Sequence, residues 1–338
     1  MLDESAIADL SRQHFGLDLV AEPKPMHSGN INHSARLPTS EGDFVLQQLN
    51  RSVFTDAAAL MKNAELIIDR LRDHNIATLE YRDTVDGNSL AEIDGVIWRC
   101  YHFVDGSATS SITTVEDAQA TARAFGRYAA AISDLSLIEH LPGYHDFDAR
   151  VAEFDTAVAS DDAGRRSACE ATVERAVHAV DRLRLSPSFD AWREAPTRNA
   201  HNDAKAPNCV IAAGGRRTII DLDTTMPGTI LSDVGELVRS STRGLVGGGP
   251  QVIMAQIEAV NRGFFGGFGD EMTDVERNGI LVAGPLMTTE NALRFLADHL
   301  NGDTYYGAET EGENLEKAQA QLTLAGEQIA AIEHAVTG

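Results

Sequence analysis

The feature that most restricts what this chain can fold into is a change of hydrophobic period near Gly106. Before it, Asn32 to Leu37, Phe44 to Leu49, Ala77 to Tyr81 and Val96 to Val104 are β-favouring runs. Turns such as Glu41-Gly42-Asp43 and Asp86-Gly87-Asn88 separate them, the pattern of a small sheet. One helix interrupts this series. It is capped near Thr55-Asp56 and carries Leu60, Met61, Ala64, Ile67, Ile68 and Leu71 at helical spacing, which predicts an amphipathic element laid on that sheet. After Gly106 the period becomes helical, opening with Thr114-x-x-Asp117 as a capping box and a stripe of Ala118, Ala122, Phe125, Ala129 and Ile132. Further helices are expected over 147–184, 250–265, 274–300 and 314–335. A sheet-rich module over 1–104 followed by a helical one over 105–338 is an α+β organisation. Leu185-Ser186-Pro187-Ser188 reads as a loose linker inside the second.

Charge narrows the function classes. Across 338 residues there are 51 acidic and 28 basic side chains, a formal net charge of −23, and only four of the basic residues are lysines. No stretch gathers Lys and Arg into a face that neutralises successive phosphates, so nucleic acid and anionic membranes are not expected partners. The first residues, Met1-Leu2-Asp3-Glu4-Ser5, lack a basic and then apolar leader. No apolar run approaches the roughly 18 residues of a membrane span, so a cytoplasmic protein is expected, as a monomer or weak homodimer. Cys100, Cys169 and Cys209 are widely separated, without metal-ligand or disulfide spacing, and read as buried small hydrophobes.

The densest chemical signal is His201-Asn202-Asp203-Ala204-Lys205-Ala206-Pro207-Asn208, followed by Asp221 at the end of the apolar strand Thr218 to Leu222. Phosphoryl transfer needs a carboxylate to orient and deprotonate an attacking hydroxyl, and oxygen ligands to hold Mg²⁺ on nucleotide phosphates. Asp203 suits the first task, and Asn208 and Asp221 the second. His201 reads as a structural residue beneath the loop.

These residues give the chain a resemblance to the aminoglycoside phosphotransferase and choline kinase superfamily, relatives of protein kinases. Within it the chain looks most like the N-acetylhexosamine 1-kinase branch. The similar stretches are Gly29-Asn30-Ile31-Asn32, Val45 to Asn50, Trp98-Arg99, His201 to Asn208, Ile220 to Gly228, and Arg294-Phe295-Leu296-Ala297-Asp298 with Gly302-Asp303. The resemblance implies a bilobal protein-kinase-like fold, ATP and Mg²⁺ as cofactors, and transfer of phosphate to the anomeric hydroxyl of a hexosamine or hexose. It implies Asp203 as base, Lys205 at the transferring phosphoryl group, Asn208 and Asp221 on Mg²⁺, and Asp223 assisting at the metal. It also implies Ser28 and Gly29 in a loop over the phosphates, and Phe103 and Val104 as the hinge whose backbone meets adenine. Asn30, Ser240, Arg294 and Tyr305 are the expected sugar contacts.

The sequence departs from the kinase pattern on the third strand, where a phosphate-gripping lysine is replaced by Gln47. The resembling sugar kinases carry glutamine there too, so the change is read as a branch feature that shifts the load to Mg²⁺ and Lys205. Glu65 lies four residues after Met61 and three before Ile68 and is expected to turn inward as the helix partner. Asn30 stands where the branch has histidine, and Ser240 where an aromatic is expected, both making the pocket smaller or more polar. A kinase of an aminoglycoside, choline or another small alcohol on the same fold is the alternative. A silent nucleotide-binding relative is disfavoured by the intact Asp203, Asn208 and Asp221.

Overall fold

A computed structural model describes residues 4–26, 32–108, 112 and 114–337. The chain groups into two compact units, the first containing 1–107, 136–141 and 210–223, the second the rest. The expected first module therefore gains two later segments, one of which brings Asp221 and Asp223 into it.

In the first unit α1 (Glu4–Phe15) is followed by β1 (Lys24–Met26), β2 (His33–Thr39), β3 (Gly42–Leu49), α2 (Ala57–Asp73), β4 (Tyr81–Arg82), β5 (Ala91–Ile93) and β6 (Val96–His102), and β7 (Ser107–Ala108) begins at its last residue. The main sheet runs β1-β2-β3-β6-β4, with β5 also on β6. Antiparallel register sets Gln47 directly opposite Arg99. Alternation puts Ala35, Leu37, Phe44, Leu46, Trp98 and Cys100 on one face, where Ile7, Leu10 and Phe15 of α1 cover them. α2 starts as expected, with the Asp56 carboxylate accepting from the Ala59 N–H. Segment 136–141 is stitched to α2 by Asn63, whose amide donates to the Ile138 carbonyl and accepts from the Ile138 N–H.

The second unit is helical: α3 (Val115–Ile132), α4 (Phe147–Ser160), α5 (Arg166–Arg184), α6 (Pro187–Arg193), α7 (Ile230–Thr242), α8 (Pro250–Phe268), α9 (Asp274–Leu300) and α10 (Glu313–Thr337). Between α6 and α7 lie β8 (Arg198–Ala200), β9 (Cys209–Ile211), β10 (Arg217–Ile219) and β11 (Met226–Gly228), with β8 and β11 paired antiparallel. β9 begins in the second unit and continues into the first, which also holds β10. Thr114 caps α3 by accepting from Asp117 N–H, as its spacing predicts. α3 and α8 touch through Gly126, Gly263 and Gly267, where any β-carbon would meet backbone of the facing helix. The expected helical stretch over 147–184 divides into α4 and α5, because Asp161 takes a left-handed conformation that ends α4. The expected linker at Ser186-Pro187 is instead a helix start, with Ser186 as N-cap and Pro187 in the first turn. All three cysteines are buried and unbridged.

Candidate functional site

The second unit holds the 201–208 loop. β8 delivers the chain to His201, and Asn202 then turns through a positive φ of 61°. That backbone is costly for most side chains, and every polar group of Asn202 is engaged. The N–H groups of His201 and Asn202 donate to the two oxygens of Asp233 at 2.9 and 2.7 Å. The Asn202 amide donates to the carbonyls of Ala200, Thr224 and Met226. A β-carbon at Gly228 would strike Asn202 Oδ1 at 2.5 Å, so only glycine lets β11 pass this close.

The consequence falls on the next residue. Asp203 Oδ2 accepts from Lys205 Nζ at 2.6 Å and from Asn208 Nδ2 at 2.9 Å, and Asn208 also donates to the Asp203 main-chain oxygen. Asp203, Lys205 and Asn208 are thus brought together as one hydrogen-bonded group. His201 is buried, edge-on to Phe125 at 5.4 Å, matching the structural role read for it.

Beside this loop lies a second polar cluster that the sequence reading missed in part. Glu236 receives Arg239 through both oxygens and Asn291 through Oε1. Burial opposes its charge, yet Arg239 holds its carboxyl below the usual value. Arg294 is half-buried, its guanidinium 5.7 Å from the Tyr144 ring centre and 5.5 Å from that of Tyr306. Burial and neighbouring acids push both phenols upward, that of Tyr306 to about 12. Arg294 thus lies between the rings of Tyr144 and Tyr306. Tyr305, 62% exposed, meets the ring of Tyr306 edge-on. The two oxygens of Asp298 accept the N–H groups of both residues and fix the turn that carries them, with Tyr306 half-buried. Ser240 is also corrected. It is buried, its hydroxyl accepting from the Ala206 N–H and donating to the Glu236 carbonyl, so it braces the loop from beneath.

The first unit holds Asp221 and Asp223. Asp221 is exposed and has a positive φ of 62°, a turn that separates it from the buried strand. Asp223 was expected to assist at a metal, but it is enclosed. Arg99 Nη2 lies 2.6 and 2.7 Å from its two oxygens, Asn32 Nδ2 donates to Oδ2 at 2.9 Å, and the side chains of Arg99 and Asp223 are 3% and 2% exposed. Its main-chain oxygen meets His140 Nε2 at 2.7 Å. Arg99 also donates from Nε and Nη2 to Gln47 Oε1, and Gln47 donates to Ser34 Oγ. Gln47 therefore serves Arg99. Glu65 is exposed, against the inward orientation expected for it. At about 100° per residue it stands at the rim of the stripe through Ala57, Leu60, Ala64, Ile67 and Leu71, and burial favours the opposite rim at Asn63. Phe103 is half-buried under Arg36, and its N–H already donates to the Asp43 carbonyl at 2.8 Å. Ser28, Gly29 and Asn30 lie outside the described residues.

The donors expected for a metal are all oxygen, the Asn208 carboxamide and the Asp221 carboxylate, as a hard ion such as Mg²⁺ prefers. Among the described residues no three His, Cys, Asp or Glu side chains cluster as a metal cage. Arg99 carried no assigned role in the sequence, although it lies in a stretch shared with the kinase branch. His145 gave no signal.

Comparison with known proteins places this geometry. The model of the family described as phosphotransferase enzyme family matches residues 22–271. Among solved structures the chain is similar to a spectinomycin phosphotransferase in complex with ADP and spectinomycin. The TM-score is 0.60 at 14% identity, over 98% of each chain. It is similar to an amicoumacin kinase in complex with AMP-PNP, Ca²⁺ and Ami, with TM-score 0.65, 12% identity, and 96% of this chain and 94% of that one covered. A choline/ethanolamine kinase family protein from Mesorhizobium loti gives TM-score 0.58 and 16% identity over 98% and 99% of the two chains. At such identities the likeness establishes the α+β, protein-kinase-like fold.

Proposed function

The chain belongs to the phosphotransferase enzyme family, and from that premise we propose that it is an ATP- and Mg²⁺-dependent kinase phosphorylating the anomeric hydroxyl of a hexosamine or hexose. The observation that carries the kinase reading is the grip on Asp203, whose Oδ2 is held by Lys205 and Asn208. A carboxylate fixed through one oxygen presents the other, Oδ1, to an acceptor hydroxyl. In the proposed step Asp203 accepts the hydroxyl proton as the acceptor oxygen bonds to the γ-phosphorus. The bond from that phosphorus to the β-γ bridging oxygen breaks, and ADP leaves with the electron pair. Asn208 and Asp221 are assigned to hold Mg²⁺, which when bound neutralises phosphate charge. Lys205 is positioned to pass from Asp203 to the transferring group.

The sugar reading is supported by Arg294, a planar donor set between Tyr144 and Tyr306, the combination that suits ring hydroxyls on a flat apolar face. An ADP-release screen over hexosamines, hexoses, aminoglycosides and choline tests both levels. Release with a sugar, followed by phosphorus NMR of a 1-phosphate, supports the full proposal. Release only with choline or an aminoglycoside keeps the kinase and rejects the sugar. No release with any acceptor, despite Mg-ATP binding, rejects the kinase.

A further inference from the structure

The second unit contains a buried ring that the phosphoryl-transfer reading does not use. His145 stands just before Asp146, the N-cap of α4, and its side chain is 9% exposed. Nδ1 lies 2.8 Å from Glu290 Oε1 on α9, and Nε2 lies 2.7 Å from the main-chain oxygen of Asn202. A carbonyl oxygen only accepts, so Nε2 carries a hydrogen. A neutral imidazole has no second N–H, which would set a bare nitrogen lone pair against the Glu290 carboxylate.

Two arrangements remove that clash: an imidazolium beside an anionic Glu290, or a neutral ring accepting from a protonated Glu290. Imidazole is the stronger base by about two pKa units in water, which assigns the shared proton to the ring. The other groups facing it favour that assignment. Glu236 and Asp233 approach from α7, and the neighbouring Tyr144 ring is edge-on at 4.6 Å, with Arg294 beyond it. Burial works against the charged ring, but Glu290, the Asn202 carbonyl and Glu236 outweigh it and raise His145 above its ordinary value.

The contact has a consequence because of where it is made. Asp233 holds the N–H side of the left-handed Asn202, while His145 holds its carbonyl, the oxygen of the peptide leading into Asp203. We propose that His145 is a positioning residue, an imidazolium clamped between Glu290 and the Asn202 carbonyl, that fixes the peptide plane ahead of Asp203 and so aims the base. This rests on Asp203 being the base of a kinase, but the charge state of the ring does not.

The test is long-range proton–nitrogen NMR of the full chain labelled with nitrogen-15 histidine, titrated from pH 6 to 9. The His145 ring is assigned by its disappearance in His145→Gln or, if that variant does not fold, by its shift in Glu290→Gln. Both ring nitrogens protonated at pH 7.5 is the expected result; a neutral ring at pH 7.5 overturns the proposal. Hydrogen exchange of the 200–206 backbone, read by mass spectrometry, is expected to quicken in His145→Gln and Glu290→Gln. Exchange unchanged from wild type in both variants overturns the positioning role. With the sugar giving fastest ADP release, kcat should fall on the order of 10²-fold in either variant while KM for ATP holds. Unchanged kcat refutes the aim of the base. If no acceptor is phosphorylated at all, the kinase reading fails while NMR and exchange still decide the clamp.

Discussion

Removing Arg99 tests the most heavily buried charge pair in the first unit. Its guanidinium nitrogen lies 2.6 and 2.7 Å from the two oxygens of Asp223, with both side chains almost fully enclosed. Arg99→Met keeps much of the stem's volume and removes the charge, leaving Asp223 with the Asn32 amide as its remaining donor among those described. Breaking one partner of such a pair costs about 3–5 kcal/mol, because the surviving charge is stranded. Gln47 Oε1 loses its two Arg99 donors as well, which places the expectation at the upper end. Replacing both members, Arg99→Met with Asp223→Leu, should recover a large part of the loss, since two apolar side chains carry no stranded charge. Urea unfolding followed by fluorescence and by circular dichroism measures both variants. If Arg99→Met costs less than about 1 kcal/mol, or if the double variant is no better than the single one, the account of Asp223 as a buried anion held by Arg99 is wrong.

Asp203→Asn should abolish ADP release with every acceptor while the thermal shift caused by Mg-ATP persists; near-normal turnover would remove Asp203 as base. Burial pushes the Asp233 carboxyl up to about 7, against the pull of two N–H donors. A group raised in the folded state stabilises fully below its unfolded value and loses that contribution as pH rises through the folded one. Wild-type stability should therefore fall by roughly 2–3 kcal/mol between pH 5 and 7.5 on this group's account, relative to Asp233→Asn. Parallel urea-unfolding profiles for the two proteins would contradict this.

What the sequence revealed and what it hid divides by range of interaction. The change of period near Gly106 and the helices beginning near 114, 250, 274 and 314 were legible because each is long and periodic, and the first three are opened by a cap or a proline. α7 was not, because Ile230, Ser232, Val234, Glu236, Val238 and Ser240 are all buried and no polar face remains to give a period. The Asp203 loop was legible because its members lie within eight residues, His201 to Asn208, and the hydrogen bonds among them are local. Arg99 and His145 were not, because their carboxylate partners are 124 and 145 residues away. Glu65 was misjudged by a fraction of a helical turn.

The four-lysine chain also resolves the absence of a lysine on β3 in a particular way. Gln47 faces Arg99 across the β3–β6 ladder, so the buried cation of this sheet stands one strand over from the usual position. It is already matched by Asp223, which makes it a brace for the turn bearing Asp221 rather than a grip on phosphate. Gln47→Lys, which restores the usual kinase residue, should therefore weaken the protein. Its ammonium would have to sit against the Arg99 guanidinium, and the amide oxygen that accepts from Nε and Nη2 would be gone. Like charges so close repel, and a hydrogen bond to a charged group lost on burial costs about 1.5–3 kcal/mol. Urea unfolding and a Mg-ATP binding titration decide the point. If Gln47→Lys binds Mg-ATP more tightly with unchanged stability, the account of Gln47 as the acceptor that holds Arg99 is wrong.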